Sequence, residues 1–114
     1  MANTFKVKTK ASVSNSSLDT VYTVPSSTTS VVLGLALANK TTSAITVDVQ
    51  LVSDTSDTET NANVFLLKGT AIPGNSTLEV FGGQKIILQT TDVVKAQASS
   101  ASALDATLSI MEQT

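Results

Sequence analysis

Residues Val31–Ala38 read VVLGLALA, eight positions with no charge and no hydrogen-bonding side chain, closed off by Asn39 and Lys40. Few structures accept such a run. A helix crossing a bilayer needs roughly 20 predominantly apolar residues, so this stretch is too short to span one. It is also short for a stable helix, and its flanks carry no capping pattern. A β-strand remains. Having no polar face, it is predicted to lie at the centre of a sheet with both faces covered, by intrachain packing or by a subunit interface.

The segments around it follow the same logic. Ile45, Val47, Val49 and Leu51 alternate with Thr46, Asp48 and Gln50, the period-two signature of a half-buried strand. Only Asn39, the polar link KTTS and one alanine separate it from the preceding run, so the two are predicted to form a hairpin. TVYTV (Thr20–Val24) ends at Pro25, which cannot continue a central ladder. VFLLKGTAI (Val64–Ile72) precedes PGNS (Pro73–Ser76), with Pro and Gly at the two corners of a type II turn. TLEVF, a break at Gly82 and Gly83, QKIIL, the turn-like QTTD, VVKAQAS and ALDATLSIME complete the series. ASSASA (Ala98–Ala103) is read as a hairpin connection.

Short strands at regular spacing predict an all-β fold, a single antiparallel β-sandwich of jelly-roll or immunoglobulin-like type with about eight strands over residues 1–114. Residues 1–19 form either an N-terminal arm or an edge strand in this reading. A chain of 114 residues can bury a real core without staples. Thirty-three Ser and Thr residues do not make it disordered, because 41% of the residues are hydrophobic and the net charge is only −2.

Composition excludes more chemistry than it supplies. The chain contains no cysteine and no histidine, which removes thiolate metal sites, disulfides, the usual neutral-pH acid/base group and the partner of a serine nucleophile. No phosphate loop or serine-nucleophile motif is present: VFGGQK lacks the frame of a phosphate loop, and neither SxxK nor GxSxG occurs. The protein is therefore expected not to be an enzyme and to need no cofactor. An enzyme would require an activated lysine, Lys68 or Lys85, buried beside a serine. Seven lysines without one arginine make nucleic-acid binding unexpected. With no apolar h-region at the start and no spanning segment, no membrane association is expected and synthesis is expected in the cytoplasm.

Two charged segments stand out as candidate interaction residues. In FKVKTK, Lys6, Lys8 and Lys10 alternate with Phe5, Val7 and Thr9, so a strand places all three ammonium groups on one face. That face is either solvated, discouraging edge-to-edge aggregation, or set against an acidic neighbour. In SDTSDTETNAN (Ser53–Asn63), read as a mobile loop, Asp54, Asp57 and Glu59 supply the opposite sign. Their spacing lacks the alternating ligands and central glycine of an EF-hand, so no metal is assigned. Paired between neighbouring copies, the two segments would set register in a homo-oligomer more than affinity.

Taken as a succession, VYTVP, GLALAN followed by a polar turn and a valine-rich alternating strand, an IP turn, GG.KI.L…D.VK and a closing A.S.LDATLS.ME resemble a small virion structural protein of tailed bacteriophages, particularly those of cyanobacteria. The likeness runs from about Val21 to Glu112. It implies a β-sandwich that binds other virion proteins, without substrate or cofactor. Within the virion, a capsid accessory or decoration protein binding the major capsid protein is favoured over a neck, tail or baseplate component, since no coiled-coil arm for fibre trimerisation is present. A rival from another class is a carbohydrate- or ligand-binding β-sandwich module using the Ser53–Asn63 loop as its contact surface.

Overall fold

The computed structural model describes residues 2–53 and 61–114, and among these every regular element is a strand. The strands are β1 (Asn3–Lys10), β2 (Asp19–Thr23), β3 (Thr29–Asn39), β4 (Ile45–Val52), β5 (Val64–Ile72), β6 (Thr77–Glu79), β7 (Ile86–Leu88), β8 (Val93–Ala98) and β9 (Leu104–Gln113). They form two antiparallel sheets. The first runs β1-β9-β3-β6, with β7 also on β3; the second runs β2-β8-β4-β5. The predicted β-sandwich is the observed one, with nine strands.

Pairing is nested: β1 with β9, β2 with β8, β3 with β6 and β7, β4 with β5. A long hairpin folded at β4–β5 and wrapped across two sheets is the jelly-roll order, not the immunoglobulin one.

This order corrects the hairpin predicted for Val31–Ala38 and Ile45–Val52. The two strands belong to different sheets, β3 pairing with β9 and β4 with β8 and β5. Asn39 turns the chain at this point. Its buried side-chain amide donates to the carbonyls of Ser43, Ile72 and Pro73, and its side-chain oxygen accepts from the Thr41 amide and hydroxyl. The link is thereby bent over the rim of the sandwich. Ala98–Ala103 likewise passes from β8 to β9 in the other sheet, so it is a crossover and not a hairpin turn.

Pro73–Ser76 is a turn, but its left-handed residue is Asn75 (φ 57°), not Gly74 as type II geometry requires. Gly74 is needed for another reason. A Cβ there would collide with the Thr42 carbonyl, where the two loops press together.

Between the sheets lies the core. Val32, Leu35 and Leu37 of β3 and Leu104, Leu108 and Ile110 of β9 enter it from the first sheet; Val47 and Val49 of β4 and Val94 and Ala96 of β8 enter from the second. Each fully buried aliphatic side chain of this size contributes roughly 1.5–3 kcal/mol of transfer free energy.

β3 is central, as its sequence requires, but only one of its faces is dry. A register shift between Val32 and Gly34 puts Leu33 on the outside, 37% exposed, and Val31, Ala36 and Ala38 are only half-buried. The bulge frees the Leu35 amide, which donates to the Glu79 carboxylate at 3.2 Å. A matching device sits in the second sheet, where Asp48 accepts from the Gly69 amide at 2.7 Å beside the β4–β5 irregularity.

Candidate functional site

Residues directly opposite each other in an antiparallel pair share a face, so register maps the outer surface of the first sheet. Phe5 pairs with Met111, Met111 with Val31, and Val31 with Ile87. These four make a continuous apolar row across the sheet, from one edge to the other. Val7 and Leu33 widen it. The ends of the row are open to solvent, with Phe5 at 71%, Val7 at 60% and Ile87 at 67% exposure.

The strand positions paired around the row on this half of the face, Asn3, Ser109, Gln113 and Thr29, are uncharged. Charges border the row at Lys85, which precedes β7, and at Glu79 beside the β3 bulge, and others lie toward the far end of the sheet. There Asp105 is bound to Lys40 at 2.9 Å, with its carboxyl held below the usual range first by the Ser12 amide and then by Lys40. Glu79 is bound to the β3 bulge. This row is the candidate contact surface of the first sheet.

Behind the row, a polar tie joins the sheets. The buried Tyr22 hydroxyl of β2 donates to Glu112 Oε2 of β9 at 2.6 Å and lies 2.6 Å from Ser30 Oγ of β3. Lys6 Nζ closes the group, 2.8 Å from Glu112 Oε1. Burial, with the Glu112 bond adding to it, pushes the Tyr22 phenol up to about 12. Lys6 and then Tyr22 hold the Glu112 carboxyl below its ordinary value. Tyr22 and Glu112 bind the two sheets to each other.

The predicted lysine face is real: Lys6, Lys8 and Lys10 stand opposite Ile110, Leu108 and Ala106, all core residues of β9. The ammonium groups therefore lie along the rim on the core side of β1, while Phe5 and Val7 occupy the solvent side. Lys10 Nζ approaches Asp19 at 3.8 Å, and Lys8 has no carboxylate within 4 Å among the described residues. Asp54, Asp57 and Glu59 lie outside the described residues.

Sequence reasoning marked the lysines and missed the apolar row, although the other half of FKVKTK was its visible sign. Register across four strands was needed to see the rest.

Neither lysine weighed for catalysis is beside a serine in a buried site. Lys68 is exposed, 4.7 Å from the Phe65 ring centroid and 3.2 Å from Asp48 Oδ2, and Lys85 is exposed. An open polar hollow of about 190 Å³ on the second sheet, lined by Asn15, Thr46, Asp48, Gln97, Ala98 and Ser99, is smaller than the roughly 300–1,000 Å³ of ordinary ligand pockets. Among the described residues, no group of three or more acidic side chains converges as a metal site would require.

No protein-family model matches the chain, and no curated protein matches it.

Proposed function

We propose that this chain is a non-enzymatic structural protein of a phage virion, a capsid accessory or decoration protein that binds the shell through the outer face of its first sheet. The setting comes from the sequence resemblance. The observation that supports a binding part is the outer face carrying Phe5, Met111, Val31 and Ile87 in one apolar row. The row itself desolvates at little cost, because its four side chains hold no charge to strip of water. The three carboxylates on the strands of the first sheet are engaged: Glu112 by Tyr22 and Lys6, Asp105 by Lys40, Glu79 by backbone amides.

Quantitative mass spectrometry of purified particles tests the reading, because copy number follows the symmetry of the site occupied. A ratio to the major capsid protein near one, or near a simple fraction of it, is the expected result. A few copies per particle, in multiples of the tail symmetry, would move the protein to the neck, tail or baseplate. Absence from particles overturns the proposal and returns the argument to a carbohydrate- or ligand-binding module, for which the polar hollow around Asp48 is the place to look.

A further inference from the structure

An open sandwich of two sheets has four edges, and here three are blunted. β2 is five residues long and its pairing with β8 slips between Thr20 and Tyr22. β5 carries Gly69 in the left-handed region (φ 63°) beside two register shifts. β6 and β7 are three residues each, separated by Gly82 and Gly83 at φ 57° and 92°. β1 is different. Its eight residues pair with β9 in unbroken register from Asn3 to Lys10, with neither Gly nor Pro, and no other strand bonds to its far side among the described residues.

We propose that β1 is an acceptor edge, where an extended segment of a different protein, with acidic side chains at alternate positions, adds a further strand to the first sheet. This deepens the binding role argued above and rests on it. The backbone of β1 supplies the hydrogen bonds, as in other cases of strand addition. Side chains supply the selectivity. An added strand would set one row of side chains against Lys6, Lys8 and Lys10 and the alternate row beside Phe5 and Val7. Acidic residues in the first row and apolar ones in the second match both. Lys6 and Lys10 keep 42% and 41% of their side-chain surface despite their partners, and Lys8 has no ion-pair partner among the described residues.

The same pattern argues against a second copy at this edge. Two β1 strands related by a two-fold axis perpendicular to the sheet pair residues of equal parity, which sets Lys6 against Lys6 or against Lys8 in the two longest registers. Like charges directly opposite are destabilising. Self-association is thus disfavoured at the edge where an acidic strand is accepted.

The test uses the full chain and two labelled ten-residue peptides, one alternating Glu with Val and Thr, the other Lys with Val and Thr. Fluorescence anisotropy reads binding, and amide hydrogen exchange reads its location. Saturable binding of the glutamate peptide alone, with slowed exchange confined to β1, is expected. Lys8→Glu should weaken it about ten-fold, the effect of roughly 1.4 kcal/mol of lost pairing, and Lys8→Gln should fall between, with thermal unfolding of both variants confirming a native fold. Equal binding of both peptides, no binding by the folded chain, or concentration-dependent protection of β1 without peptide would each overturn the proposal, the last by identifying a second copy as occupant. Particle copy number is read separately. A chain found in particles that ignores the peptide loses only the edge proposal, whereas one that binds the peptide but is absent from particles loses only the virion setting.

Discussion

Tyr22 on β2 and Glu112 on β9, ninety residues apart in the chain, meet at 2.6 Å inside the sandwich, and theirs is a side-chain hydrogen bond across the two sheets. Removing the hydroxyl with Tyr22→Phe leaves Ser30 and one Glu112 oxygen short of a partner in a dry site. A buried group so orphaned costs about 1–3 kcal/mol, so urea denaturation should show a lower midpoint with an unchanged slope. An unaltered midpoint would mean that water replaces the phenol.

The same pair sets a pH window at each end. Tyr22 has its folded pKa raised above the unfolded value, so its contribution is complete below about pH 10 and is lost as pH rises toward about 12. Glu112 has its folded pKa depressed, so its contribution is present above the ordinary carboxylate range and is lost as pH falls through the lower folded value. Thermal denaturation followed from pH 2 to pH 12 should give a plateau through neutrality that falls at both ends. In Tyr22→Phe the alkaline fall should shrink.

Leu33 and Leu35 are two positions apart and should respond oppositely to truncation. Leu35 is fully buried, and Leu35→Ala is expected to cost about 2–5 kcal/mol, cavity included. Leu33→Ala should stay within roughly 0.5 kcal/mol of the parent, because the bulge holds that side chain outside. Equilibrium unfolding of the two variants checks both.

Gly74→Ala drives a methyl group against the Thr42 carbonyl, and the backbone on either side must move. The expected loss is about 1–3 kcal/mol, the range for an overpacked site, with weakened exchange protection at Asn75, whose amide bonds to Thr41.

On the outer face, Phe5→Ser with Ile87→Ser should leave thermal stability nearly unchanged while abolishing incorporation into particles, measured by the same mass-spectrometric count. Retained incorporation would show that the shell is not bound through this face.

Much of this architecture was legible residue by residue. Val64–Ile72 is β5 to the residue, and of the alternating set in β4, Ile45, Val47 and Val49 are buried while Leu51 is only partly so. What could not be read locally was pairing. Five residues between β3 and β4 fit a hairpin as well as a passage over the rim, and the choice is made by Asn39 reaching the carbonyls of Ile72 and Pro73, far along the chain. Leu33 misleads for a related reason. An apolar run without alternation hides a bulge, and its one mark in VVLGLALA is Gly34, at the register shift itself. The candidate site was half visible: the lysines announce themselves by charge, whereas Phe5, Met111, Val31 and Ile87 become neighbours only once four strands are in register.

The pairing of β1 with β9 also governs when this molecule can come into being. β9 is the strand that joins β1 to β3, so the first sheet has no middle until residues near Gln113 have cleared the ribosomal tunnel. Earlier segments can collapse but cannot close. Contacts between such distant positions place folding in the slow, millisecond-to-second regime of β-topologies. During that interval the regular edge of β1 stands without even its own neighbour, and like charge on its three lysines works against pairing with the same strand of a second nascent chain.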